Sequence, residues 1–176
     1  MHDKKSVLPI QKLLQASNIN LPQEPGVYAF WWIGNRSDLL NANRIIKLKG
    51  PSNALFQVEY KDWWPNELTY PCLYIGKSTN IRKRFFQHIK RGSIHRLHNA
   101  PDQNEKVKPK TTSCQLRWGI EHIFPHEERP LEIITKFVGF SWRTDFPEDN
   151  AIAERFFEED RLVGIWRPWF NIDSER

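Results

Sequence analysis

Cysteine is scarce in this chain: only Cys72 and Cys114 occur. Two thiols cannot build the disulfide framework of a small secreted domain, and they supply no zinc-finger pattern. No apolar run reaches the roughly 18 residues that a membrane-spanning helix needs. The opening stretch from Met1 to Pro9 lacks the apolar core of a secretory signal. These absences lead to the expectation of a soluble, cytoplasmic protein with reduced thiols and no membrane partner, Cys72 being buried within an apolar strand. Helix-turn-helix and coiled-coil patterns are also missing, so any target specificity has to come from segments particular to this chain.

At 176 residues the chain suits one domain, 1–176, with a real hydrophobic core. Aromatic residues make up 13% of it, including 8 Trp, which excludes a disordered chain despite a mean hydropathy of -0.65. A net charge of +5 permits an anionic partner without establishing one.

The stretch from Leu73 to His88 organises the rest. It reads as a short buried strand, a Gly-containing turn and a basic helix that Ser78, Thr79 or Asn80 can cap. Along that helix Ile81, Phe85 and Ile89 form an apolar stripe, with Arg84 and His88 one turn apart at its edge. Together with Lys77 in the turn they would grip a phosphate, although the same pattern also describes an amphipathic helix with a solvated basic face. Val27 to Ile33 is a second strand, and alternation sets Tyr28 and Phe30 opposite Val27 and Ala29. Tyr28 on its own reads as core packing, or as a side chain projecting toward a cleft.

Between these strands, Arg44 to Gly50 and Leu55 to Tyr60 predict a hairpin closed by Trp63-Trp64-Pro65. It either extends the sheet, forms a flap bearing Arg44, Lys47 and Lys49 toward nucleic acid, or is a structural hairpin with the tryptophans as its own small core. Arg82, Lys83, Lys90, Arg91 and Arg96 continue the positive charge. His95 and His98 lack companion ligands and suit phosphate or solvent better than metal. Residues 99–113, with Lys106, Lys108 and Lys110, read as a polar loop. Residues 115–124 are helix or strand, Leu131 to Trp142 reads as a strand, and Ile10 to Ala16 as a short helix.

A final helix is expected from Asp149 or Asn150 to about Gly164. On it Ile152, Phe156, Val163 and Glu159 share one stripe, with Glu158 at its edge. A carboxylate on a core-facing stripe costs free energy unless it is paired, so either an ion pair, with Arg84 or Arg155, or a bound cation is required.

Pro25-Gly26-Val27-Tyr28 and Leu73-Tyr74-Ile75-Gly76 resemble the two halves of the signature of the GIY-YIG nuclease family. Lys77, Arg84 and His88 follow Tyr74 by three, ten and fourteen residues, where that family carries corresponding residues. Glu159-Asp160-Arg161-Leu162-Val163 and Arg167-Pro168-Trp169-Phe170-Asn171 resemble its closing pattern, with Asn171 twelve residues after the glutamate. The resemblance implies an α/β (α+β) fold with a small central, mainly antiparallel, three-stranded sheet flanked by helices. Its core would span about 25–33, 71–98 and 131–171, with insertions at about 34–70 and 99–130. The chain departs from the family in placing 45 residues between Tyr28 and Tyr74, where a short hairpin is usual.

The activity so implied is that of a metal-dependent DNA endonuclease. Its catalytic set is Tyr28, Tyr74, Lys77, Arg84, His88, Glu159 and Asn171, with Glu159 holding one Mg²⁺ or Mn²⁺ and Glu158 its rival. Tyr28 or His88 would be the base. The partner is duplex or branched DNA, and cutting both strands calls for a homodimer or successive nicks. A compact restriction-like enzyme is the first reading and a repair or recombination nuclease the second. A catalytically inactive nucleic-acid-binding module of the same fold is the third.

Overall fold

Aromatic and β-branched side chains favour extended backbone because they pack well on a pleated surface, and the densest run of them lies at the centre of this fold. The computed structural model describes residues 6–16, 20–49, 55–90 and 114–172. In chain order its elements are β1 (Leu8–Pro9), α1 (Ile10–Gln15), β2 (Gly26–Trp32), α2 (Arg36–Leu40), β3 (Ile45–Lys49), β4 (Leu55–Glu59), β5 (Cys72–Ser78), α3 (Ile81–Lys90), α4 (Gln115–Ile123), α5 (Pro130–Phe137), β6 (Val138–Arg143) and α6 (Ala151–Trp166). Every residue of β2 is buried. That strand is flanked by β6 and β5 in an antiparallel sheet of order β1-β6-β2-β5.

Helices cover both faces. On one, Tyr28, Phe30, Phe140 and Phe85 of α3 form a ring cluster with centroid spacings of 4.9–5.9 Å. On the other, Trp31 meets Trp166 of α6 at 4.9 Å and donates from Nε1 to Ser141 Oγ at 2.8 Å. A strand sandwiched in this way loses the alternation of a half-exposed strand and becomes a continuous apolar run.

Four expectations need correction. The central sheet has four strands rather than three, because the two residues of β1 pair with Phe140 and Gly139. Leu131 to Trp142 is not one strand: Pro130 opens α5, Ile133 and Ile134 are buried, and the strand begins only at Val138. Proline at a first helical turn and apolar residues three and four apart outweigh the β-branched composition there. The hairpin β3–β4 does not extend the central sheet but forms a separate two-stranded one. Finally, Ile152 and Phe156 are exposed, and α6 packs through Leu162 and Trp166. The segment 115–124 resolves as helix α4, with Leu116, Ile120 and Ile123 buried along one side.

The tryptophans after the hairpin do not make a core of their own. Trp64 and Tyr60 both stack on Trp169, at 4.4 and 5.1 Å between centroids. Trp63 Nε1 donates to the Arg167 carbonyl and Trp169 Nε1 to the Lys61 carbonyl, each at 2.9 Å. The insertion is thus stapled to the segment that follows α6. Arg167 itself turns the chain with φ 49°, the left-handed C-terminal cap of α6.

Candidate active site

β5 is an edge strand, and its exposed backbone groups need partners. Asn171 supplies them. Its Oδ1 accepts from the Ile75 N–H at 2.8 Å and its Nδ2 donates to the Ile75 carbonyl at 2.9 Å. Ile75 is fully buried, so Asn171→Ala strands two buried backbone groups. It is expected to cost about 1–3 kcal/mol, read as a lower urea midpoint; an unchanged midpoint would refute this role.

After β5 the turn delivers α3. Asn80 caps it, its Oδ1 accepting from the Lys83 N–H at 2.8 Å. The N–H groups of Ile81 and Arg82 donate to the carbonyls of Glu24 and Pro22. The first-turn donors are therefore spent on the fold, and anion binding here falls to side chains.

Arg84 and His88 then project from α3 onto the Tyr28 hydroxyl. Arg84 Nε donates to it at 3.0 Å, and His88 Nε2 lies 3.0 Å from it. The Tyr28 and Tyr74 rings stand 6.1 Å apart. Tyr28 is 1% exposed, and burial, reinforced by Tyr74, raises its hydroxyl far above the ordinary phenol range against the pull of Arg84. It therefore does not project into a cleft. Tyr74 is more exposed, and its pKa too is raised by burial, with Arg84 pulling it down and Glu159 pushing it up.

Burial, then the charges of Arg84 and Arg117, hold His88 well below its ordinary pKa, so the ring is neutral. The Tyr28 oxygen accepts from Arg84, and both His88 Nε2 and the Tyr74 hydroxyl are within reach of its proton. Nδ1 lies 3.2 Å from Cys114 Sγ, whose own proton goes to the His88 carbonyl at 3.7 Å. Cys114 is the residue that sequence reasoning missed as part of this site; no spacing marks it.

The His88 shift carries a pH consequence. The unfolded chain binds a proton near pH 6.5 that the folded chain refuses. Stability is whole above that pH and falls below it, by up to about 1.4 kcal/mol per pH unit. The melting temperature should drop between pH 7 and 5, and the drop should flatten in His88→Gln; a wild-type profile that is flat over that range contradicts it.

Lys77 alternates to the other face of β5, where α6 lies, and forms an ion pair with Glu159. The partner of Glu159 is thus Lys77, not Arg84 or Arg155. Its side chain is 15% exposed. The rival carboxylate, Glu158, is held at both oxygens by Arg161 and Arg143, and Arg161, then Arg143, lowers its pKa against a smaller opposing effect of burial. The two halves of the set meet at a cleft of about 420 Å³ that Lys77, Lys83, Arg84, Arg155 and Phe156 line with Gln87.

No family model, curated protein or solved structure matches the chain. Among the described residues, no group of three or more His, Cys, Asp or Glu side chains is placed to hold a metal, and no helix is long and apolar enough to cross a membrane.

Of the other cations singled out above, Arg44 is tied to Glu59 and the Tyr60 carbonyl within its hairpin. Lys47 is exposed. Arg82 lies over the Phe86 ring, 5.7 Å from its centroid. Arg91, Arg96, His95, His98 and the run with Lys106, Lys108 and Lys110 lie outside the described residues, as do the side chains of Lys49 and Lys90.

Proposed function

We propose that this chain is a metal-dependent endonuclease of GIY-YIG type that hydrolyses phosphodiester bonds in DNA. The observation that carries the reading is convergence. Tyr28, Tyr74, Arg84 and His88 form one contact cluster, Lys77 and Glu159 an ion pair, and Asn171 anchors the strand between them. Of these groups, Lys77 and Arg84 line a cleft rich in cations, the setting that a phosphodiester needs.

The donor set at Glu159 fits a hard divalent cation. Mg²⁺ and Mn²⁺ keep several waters and are commonly held by one or two carboxylates together with a substrate phosphate. Glu159 is such a carboxylate, partly exposed beside the cleft and with Lys77 on Oε2, whereas Glu158 is saturated by arginines. When bound, the metal would neutralise charge developing on the phosphate oxygens.

The chain's own groups divide the remaining work. Arg84 is held by the Tyr28 hydroxyl through Nε and by Gln87 Oε1 through Nη1, and from that position on the cleft wall its charge would stabilise a phosphate oxygen. Tyr28 and His88, both buried, are taken as positioning residues. Tyr74, partly exposed and subject to the charges of both Arg84 and Glu159, is the phenol available to orient an attacking water. Lys77 sits where it can hold a phosphate oxygen once Glu159 turns to other partners.

An inactive nucleic-acid-binding module is the second reading, favoured by the closure of Glu159 on Lys77. Supercoiled plasmid and branched DNA, incubated with Mg²⁺ or Mn²⁺ and with EDTA as control, separate the two. Discrete metal-dependent fragments support the nuclease; tight salt-sensitive binding without cleavage overturns it in favour of the module.

A further inference from the structure

Apolar side chains on the surface of a folded domain forgo transfer free energy that burial would supply, and α6 leaves three large ones in solvent near its start. Ile152 is 69% exposed, Phe156 50% and Phe157 66%. Phe156 differs from its neighbours in its setting. It lines the same cleft as Lys77, Lys83, Arg84 and Arg155, and the Lys77 ammonium stands 4.0 Å from its ring centroid. A cation placed over an aromatic face orients that ring by its quadrupole. The result is a positioned, half-exposed ring set among four cations, in a cleft that no carboxylate lines.

The ligand that complements both features carries a negative charge on every repeat and a flat apolar face beside each charge. A nucleic-acid strand does so, and bases stack on aromatic side chains whatever their sequence. A fully paired duplex keeps those faces inside its own stack, so only an unpaired base can meet the ring. A second copy of this chain fits less well, because a two-fold contact would set Lys77 and Arg155 against their own like charges. We propose that Phe156 is the stacking platform for an unpaired nucleobase whose adjoining phosphate lies among Lys77, Lys83, Arg84 and Arg155. The preferred substrate class is then DNA with a single-stranded or branched segment. This rests on the nucleic-acid reading of the cleft and narrows it.

The test compares the full chain with Phe156→Ala and Phe156→Tyr. Fluorescence anisotropy reads binding to a single-stranded oligonucleotide and to the blunt duplex of the same sequence, and cleavage is scored on both. The wild type is expected to bind the single strand at least about tenfold tighter than the duplex. Phe156→Ala should lose roughly that factor on the single strand alone, because base–aromatic stacking falls in the range of about 5- to 150-fold. Phe156→Tyr should restore it. Single-strand affinity unchanged in Phe156→Ala overturns the proposal; if the wild type still cuts duplex, the nuclease reading survives that failure. A wild type that binds neither probe overturns both. Self-association lost in Phe156→Ala with single-strand binding intact also overturns it, and assigns the ring to a contact between copies.

Discussion

Glu159→Gln should lower metal-dependent cleavage by about 10³-fold while the protein stays folded. A neutral amide keeps the shape of the carboxylate but gives up the charge a hard cation requires, and metal stabilisation of phosphate charge is worth several kcal/mol of barrier. The structural cost is small. The pair with Lys77 is partly exposed, at 30% and 15% for the two side chains, and such pairs contribute at most about 1 kcal/mol once solvent screening is allowed for. Glu158→Gln is the control one residue away. Its carboxylate braces Arg143 against Arg161, so that variant should keep its cleavage rate. Initial rates in Mg²⁺, beside thermal melts of both variants, decide the matter. Full activity in Glu159→Gln, or its loss only in Glu158→Gln, would mean that the metal carboxylate has been misassigned.

Gly76→Ala, the second large effect, acts through packing. A Cβ at Gly76 would come within 2.5 Å of the Tyr28 hydroxyl oxygen, 2.7 Å of its ring carbon and 3.1 Å of the Tyr74 ring. The Tyr28 ring cannot simply swing away, since His88 and Phe140 flank it at 5.5 and 5.9 Å. Overpacking of this kind costs about 1–3 kcal/mol. It also pulls the hydroxyl off Arg84 Nε, so cleavage should fall by about 10²-fold through misplacement of the guanidinium. Tyr28→Phe removes the atom that the new methyl would strike first. Gly76→Ala should therefore cost less in the Tyr28→Phe background than in the wild type, a non-additivity readable from urea unfolding of the four proteins. Strict additivity would show that the methyl is accommodated elsewhere.

The signals that could be read from the residues were local ones. The strand at 26–32, the strand, turn and helix from 72 to 90, and the hairpin at 45–59 all announce themselves by composition, turn residues and helical spacing within a few positions. Such patterns state which residues share a face. They do not state what lies against that face, which is why a run with Leu131, Ile133 and Ile134 could be read as strand although Pro130 starts a helix there. For the same reason Ile152 and Phe156, apolar and suitably spaced, were expected in a core that α6 in fact reaches through Leu162 and Trp166, with Val163 packed against it.

The sequence by itself determined the chemical inventory and its register: two tyrosines, a lysine, an arginine and a histidine around one strand and helix, then a glutamate and an asparagine twelve residues apart. Only the tertiary structure decided their partners. Lys77 meets Glu159 across 82 positions, Asn171 meets Ile75 across 96, and Cys114 reaches His88 across 26. It also decided that Tyr28 is sealed in the core while Tyr74 remains partly open. The physical reason is that hydrogen bonding and desolvation depend on distance and burial, and chain separation specifies neither until the sheet has paired and the helices have closed over it.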